Sequence, residues 1–225
     1  MITLFSILLT ISVYLLTLYT AKRIRSPFTS PVFLSTILII VVLTGANISY
    51  HEYLPAKDIM TFLLGPATVA LAVPIYNNRK LIRVYLIPAL VGLLVGTFTT
   101  IMIALLLAKW FHFSKSMILS ISIKSVTVPV AAEIGQIIGG NPSLIVAFVI
   151  ITGMFGAMFG PKLLNLLHVH HPFARGLSIG TISHGIGTAE AVREGEMQGA
   201  VAGASMGIAA ILTSFIIPYL IPFFV

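Results

Sequence analysis

Apolar residues occur along this chain in runs long enough to cross a lipid bilayer, separated by short polar segments. The runs cover residues 2–19, 32–48, 84–108, 144–159 and 200–225. A helix needs roughly 20 apolar residues to span the hydrocarbon core, so the pattern predicts an all-α polytopic membrane bundle with about seven or eight crossings.

Ser30 and Pro31 mark one helix start, as N-cap and first helical residue. Residues 2–19 lack a basic leader and a small-residue cleavage site, which favours a first transmembrane helix over a signal peptide.

Three further segments are poor spanning helices because Thr, Gly and Pro interrupt their apolar pattern. They are residues 59–76, 116–138 and 176–192, with breaks at GPATVA (65–70), KSVTVP (124–129) and SHGIGT (183–188). Better apolar helices flank the first break, at 31–49 and 84–108, and the third, at 144–167 and 199–224. We therefore predict one membrane domain, 1–225, with two repeated halves, 1–112 and 113–225. Interrupted helices at corresponding positions of two halves are typical of transporters that bind substrate near the bilayer midplane.

Composition and charge narrow the function classes. The chain is 58% hydrophobic and 8% charged, with a mean hydropathy of +1.07. Its net charge of +7 comes from short loops rather than a basic helix, so nucleic-acid binding is not expected. The basic clusters at 22–25 and 79–83 are predicted to be cytoplasmic. The chain has no cysteine, which excludes disulfides and thiolate metal sites.

The sequence contains few motifs typical of enzymes, so we expect neither catalysis nor a cofactor. Two matches to G-x-S-x-G, at 176–180 and 203–207, do not lie on a strand-to-helix turn. The histidines at 168, 170 and 171 precede a proline at a span end, which favours an interfacial loop over a metal site. Glycines at 199, 203 and 207 have the spacing of tight helix packing.

The third break carries the strongest candidate site. Glycine loosens the backbone there, and histidine titrates near neutral pH. A helix that restarts near residue 188 would direct free N–H groups into the break, which suits an anion. The alternative is a helix-packing contact in which the histidine satisfies a neighbouring carbonyl. The candidate substrate-binding residues of this break are Ser183, His184, Gly185, Gly187 and Thr188.

The other two breaks add further candidates. Lys124 lies in a break with Ser125 and Thr127, and a lysine at this depth suits a carboxylate. The alternative is a lysine that snorkels to the interface. The first break has no charged residue, so its candidate contribution is the hydroxyl of Thr68. Helix packing alone explains this break almost as well.

Two carboxylates and His184 are candidates for proton or ion coupling. Glu133 lies nine residues after Lys124, and Glu190 follows the third break. Glu190 is also spaced with Arg193 and Glu194 as on a solvated helix end, which is the alternative interpretation.

Several blocks resemble the LrgB/CidB family over nearly the whole chain from about residue 30. They are LGPATVALAVP at 64–74, KSVTVPVA at 124–131, IGGNPSL at 138–144 and ARGLSIGTISHGIGTA at 174–189. The resemblance implies a bacterial plasma-membrane protein, antiholin-like or holin-like, linked to murein hydrolase control and autolysis. It also implies a small LrgA/CidA-type holin-like partner, and relatives that move pyruvate, or glycolate and glycerate in plastids. The family pattern has a proline before the lysine, where this chain has Ile123.

These observations lead to one main hypothesis and two alternatives. The main hypothesis is a secondary transporter of small monocarboxylates, coupled to H+ or Na+, in which Lys124 and the restarting helix neutralise the carboxylate. Access to the site would alternate as the broken-helix unit rocks or slides, as in an elevator. The alternatives are a non-transporting regulator that acts through the holin-like partner, and a pore. A homo-oligomer is expected.

Overall fold

The computed structural model describes residues 2–24, 26–63, 66, 69, 72–77 and 79–225, with the backbone alone for 72, 74, 75, 81 and 82. The regular structure in these ranges is helical. The chain divides into two compact units, Met1–Leu71 and Ala72–Val225.

Several helices lie in the described part of the first unit. They are α1 (Ile2–Arg23), the 3-10 helix Pro27–Thr29, α2 (Pro31–Gly45) and α3 (Tyr50–Phe62). The predicted helix start at Pro31, with Ser30 as N-cap, is confirmed. α1 packs against both α2 and α3, and Thr10 and Tyr53 share a 2.9 Å hydrogen bond between α1 and α3.

A capping box begins α3. Glu52 N donates to Ser49 Oγ, and Ser49 N donates to Glu52 Oε2 at 2.8 Å. The backbone N–H and the hydroxyl of Ser49 both stabilise the carboxylate, so they hold the pKa of Glu52 below its usual value.

The second unit carries the candidate site. Its elements are α4 (Ala72–Asn77), α5 (Arg79–Val84), α6 (Leu86–Trp110), α7 (Lys115–Ile121), α8 (Val128–Ile138), α9 (Pro142–Leu166), α10 (Pro172–Glu194), α11 (Glu196–Leu220) and the 3-10 helix Ile221–Phe223. Its core lies among α6, α7, α8, α9 and α11, with Leu105, Ile123, Val149 and Ile217 fully buried.

Four of the helices described are long and apolar enough to cross a membrane. They are α1, α6, α9 and α11, the last extended to Phe223. The prediction of an all-helical membrane bundle is confirmed. The count of seven or eight crossings and the division into halves stay predictions.

α10 is a helical hairpin rather than a straight helix. A straight helix would separate Arg175 from Glu194, 19 residues later, by about 28 Å. The Arg175 guanidinium instead donates to both Glu194 oxygens, at 2.6 and 2.8 Å. The reversal occurs at His184, the one residue of α10 with non-helical backbone angles. Two antiparallel arms, 172–183 and 185–194, therefore share a base near the end of α9 and a tip at His184.

The segment from α7 to α8 forms a second hairpin. Four residues separate the end of α6 from the start of α7, which runs back along α6, so that Lys124 lies beside Thr100, near the middle of α6. α8 then returns, and Asn141 N donates to Ser120 Oγ at 3.0 Å. α9 starts at this end of the unit and finishes at the base of the α10 hairpin. The two hairpins therefore enter the second unit from opposite ends.

Both hairpin tips lie at the middle of the long helices. His184 contacts α9 beside Gly153, the twelfth of its 25 residues, and Lys124 contacts the fifteenth of the 25 residues of α6. Each hairpin returns to the end of the second unit from which it entered. The predicted break at 65–70 falls mainly on residues outside the described ranges.

Candidate functional site

The backbone at His184 adopts an unusual conformation that turns the α10 hairpin. Its φ of 41° and ψ of −138° lie where L-residues other than glycine are rarely found, at a cost of roughly 1–3 kcal/mol. The imidazole is 3% exposed, and its Nε2 lies 3.0 Å from the carbonyl oxygen of Val149. A carbonyl oxygen only accepts, so Nε2 carries the hydrogen and Nδ1 is the position at which a proton can be gained.

Small residues on α9 make room for the tip. A Cβ at Gly153 would lie 2.7 and 2.8 Å from two atoms of the His184 ring, and one at Gly156 would overlap the Ser183 hydroxyl. Gly187 allows the two arms to meet, because a Cβ there would overlap Ser183. These contacts bury Ser183 at the tip, with an exposed fraction of 2%.

The remaining residues of the third break differ in exposure. Thr188 is buried, and its hydroxyl donates to the His184 carbonyl at 2.8 Å, which stabilises the turn. Gly185 is exposed, and a Cβ there would meet only Met206 Sδ, at 3.7 Å. The structure thus brings together all five candidates of this break at one hairpin tip.

Lys124 is held at the tip of the α7–α8 hairpin by two hydroxyl groups. Its Nζ donates to Thr100 Oγ1 at 3.1 Å and to Ser125 Oγ at 3.2 Å, and these two oxygens are 3.3 Å apart. Within the described ranges, no carboxylate lies within salt-bridge distance of this ammonium group. Lys124 is therefore a cation at mid-depth whose hydrogen-bond partners are neutral.

The start of α8 adds a second positive element beside Lys124. Thr127 is the N-cap of α8, its hydroxyl makes no capping bond, and a proline follows within the first turn. The first backbone N–H groups of a helix have no intrahelical partners and carry a partial positive charge. Lys124, Ser125 and Thr127 thus lie together at one hairpin tip.

An open cavity of about 660 Å³ extends from Lys124 along α6. Most of its lining is apolar, and the exceptions are Lys124 and two threonines of α6. The apolar lining includes Val95, Ile103, Leu107, Phe111 and Ile182. We call it the Lys124 cavity.

The two hairpin tips are neighbours. Ile182, two residues before His184, lines the Lys124 cavity, and a Cβ at Gly96 of α6 would touch Thr181 at 3.4 Å. The candidates of the second and third breaks thus form one region.

The proposed coupling carboxylates lie elsewhere. Glu133 is exposed on α8. Glu190 pairs with Arg193 at 2.7 Å, on the return arm of the α10 hairpin. Thr68 lies outside the described residues. No group of three or more potential metal ligands occurs in the described part of the chain.

Sequence reasoning missed the buried ion pair at the base of the α10 hairpin. Arg175 is 7% exposed and donates to Glu194, to Asn165 Oδ1 at 2.7 Å and to the carbonyl oxygens of Val169 and Pro161. It also missed Thr100, the partner of Lys124, because a threonine in a long apolar helix gives no signal of its own. A prediction that the chain reverses at residue 184 would have placed Arg175 next to Glu194.

Comparisons with known proteins agree with the motif resemblance. The family model described as LrgB-like matches residues 10–223. The uncharacterized protein YxaC of Bacillus subtilis (strain 168) is 39% identical over 191 residues, which cover 85% of this chain and 83% of that protein. The holin-like protein CidB of Staphylococcus aureus (strain N315) is 33% identical over 190 residues, 83% of this chain and 81% of that protein.

The holin-like protein CidB of Staphylococcus epidermidis (strain ATCC 12228 / FDA PCI 1200) gives the same 33%, over 186 residues. No solved structure matches the chain. Since the family model spans nearly the full length and relatives 33% to 39% identical cover most of it, this membrane protein belongs to the LrgB-like family.

Proposed function

We propose that this protein is a secondary transporter of small monocarboxylates in the bacterial plasma membrane, with transport rather than catalysis as its activity. The observation that carries the proposal is the ammonium of Lys124, held at mid-depth by Thr100 and Ser125 without a carboxylate partner in the described chain. A buried charge is costly unless it is paired, and titratable groups at this depth mark substrate or ion pathways.

The chemistry around Lys124 favours an anion of single charge. The ammonium and the start of α8 attract a carboxylate, and the hydroxyls of Ser125 and Thr127 can hydrogen-bond to it. One fixed cation balances one carboxylate, so binding would remove the uncompensated charge. Pyruvate and glycolate are the first substrates to test.

His184 supports coupling to protons. Its ring is buried at the neighbouring tip with Nε2–H on the Val149 carbonyl, and Nδ1 can take up a proton. A carboxylate bound near Lys124 would favour the protonated imidazole, because opposite charges at close range stabilise each other. Anion and proton would therefore bind together. Glu133 and Glu190 are weaker candidates, because one is exposed and the other is paired.

Opposed hairpins support alternating access. Each hairpin reaches the middle from one end of the second unit, so moving either one would open the site to one side. The end that holds the α10 base also carries the start of α6, which follows Arg79, Lys80 and Arg83. By the positive-inside rule, this end faces the cytoplasm in the proposed multi-pass topology.

Proteoliposome uptake of labelled pyruvate and glycolate tests the proposal. Wild type is expected to show saturable flux, and Lys124→Ala to lose at least about 90% of it, since removing a charged partner typically costs more than tenfold in affinity. Lys115→Ala is the matched control, because Lys115 is exposed at the start of α7, nine residues away. Absence of saturable flux across a panel of small carboxylates, or equal flux in the two variants, would reject the proposal.

A second candidate function is control of lysis without transport. The observation that favours it is the similarity to the CidB relatives, which are described as holin-like proteins. In this alternative the protein acts through a small LrgA/CidA-type membrane partner, in a homo-oligomer or alone, and affects murein hydrolase activity and autolysis. Cells that express Lys124→Ala distinguish the two functions. Wild-type autolysis with abolished carboxylate flux favours the regulator, and loss of both autolysis control and flux favours the transporter.

A further inference from the structure

We propose that the Lys124 cavity binds an anionic amphiphile, with its oxyanion head on Lys124 and its aliphatic chain along α6. This inference rests on the proposed function for the role of Lys124, and extends it by assigning an aliphatic chain to the ligand. The shared chemistry is a singly charged head on an unbranched hydrocarbon tail.

The size of the cavity carries the first step. Its volume of about 660 Å³ lies within the range of sites for drug-sized ligands. A three-carbon acid fills a small part of it. The remaining space has an apolar lining that offers water few hydrogen bonds, so hydrocarbon is the favoured occupant.

The polar end of the cavity carries the second step. A lysine ammonium has three N–H donors, and Lys124 directs two of them to Thr100 and Ser125. The third donor is left for an oxyanion. With a head bound there, the tail would follow the apolar lining past Ile103 and Leu107 towards Phe111.

The test measures binding of an alkanoate series to the full chain in nanodiscs of zwitterionic lipid. Labelled octanoate is displaced by acetate, butanoate, hexanoate and octanoate, with free concentrations measured by dialysis and empty discs subtracted. Each buried methylene is expected to tighten binding about fourfold, so octanoate should bind about 200-fold more tightly than butanoate. Lys124→Ala should lose the head contact and weaken every member of the series.

Two matched leucines of α6 test the path of the tail. Leu107 lines the cavity and is 43% exposed, whereas Leu106 is 53% exposed and does not line it. Leu107→Trp should flatten the series at the longer acids, and Leu106→Trp should leave it as in wild type. A flat series in wild type, or equal effects of the two substitutions, would overturn the proposal.

Discs that contain phosphatidylglycerol identify the source of the amphiphile. If that lipid displaces octanoate from wild type but not from Lys124→Ala, the occupant is a membrane phospholipid. If octanoate binding is unchanged, the ligand is a free aliphatic carboxylate. Pyruvate flux in the same preparations separates the two proposals: a flat series with Lys124-dependent flux rejects the amphiphile alone, and chain-dependent binding without flux rejects the transporter alone.

Discussion

The ion pair at the base of the α10 hairpin should contribute strongly to its stability. Glu194→Gln keeps the size of the side chain and removes its charge. The guanidinium of Arg175 would then keep three neutral acceptors and lose the carboxylate that holds it at 2.6 and 2.8 Å. Breaking a buried pair costs about 3–5 kcal/mol. The Glu194 side chain is 16% exposed, so we expect the lower end, about 3 kcal/mol.

Unfolding in mixed micelles measures this cost, and hydrogen exchange locates it. The amides of 185–194 should exchange faster, because the return arm loses its attachment at the base. Glu190→Gln is the control on the same arm: its partner Arg193 is only three residues away and its pair is 20% to 32% exposed, so we expect less than about 0.5 kcal/mol.

The double substitution Arg175→Met with Glu194→Met tests whether the cost comes from an unpaired charge. It removes both charges, so it should be more stable than Glu194→Gln alone, by about 1 kcal/mol or more. If Glu194→Gln and Glu190→Gln lower the free energy of unfolding equally and exchange of the return arm is unchanged, the Arg175–Glu194 pair does not hold the two arms of the hairpin together.

Three further predictions concern local structure. His184→Gly should be more stable than His184→Ala by about 1 kcal/mol in the same unfolding assay, since both lose the ring and only glycine accepts the positive φ; equal stabilities would argue against this backbone conformation. Gly153→Ala should displace the His184 ring and destabilise, whereas Gly207→Ala, which meets nothing within 4 Å, should be neutral or stabilise by up to about 1 kcal/mol; the reverse order would contradict the packing described. The lowered pKa of Glu52 means that the capping box stabilises α3 above the carboxyl's unfolded pKa of about 4.5 and loses this effect as pH falls through the lower folded pKa. Hydrogen exchange of α3 should therefore accelerate on acidification in wild type and not in Glu52→Gln, and equal pH responses would count against the box.

The positions of the helices and of two breaks could be predicted because their causes are local. Apolar runs set the long helices, and Gly, Pro and Thr next to polar groups weaken the helix at 124–129 and 183–188. Local patterns also placed Ser30 and Pro31 at the start of α2.

The partners of the site residues could not be predicted because they depend on chain reversal. Thr100 is 24 residues from Lys124, and Glu194 is 19 residues from Arg175. Neither pair could meet if the chain did not reverse. Without that reversal, the sequence pattern placed Glu194 on a solvated helix end. The need for a glycine at position 153 also becomes clear only from the structure, because a Cβ there would meet the His184 ring.

The depth of Lys124 has an electrical consequence. It lies near the middle of a 25-residue spanning helix, so an ion that reaches it from either side crosses about half of the membrane potential. Moving one charge across the full potential is worth about 2.3 kcal/mol per 100 mV, so half of it changes the affinity for a monovalent anion by about sevenfold. An inside-negative potential would weaken anion binding from the outside and strengthen it from the inside, which makes the voltage itself a determinant of the direction in which this site fills.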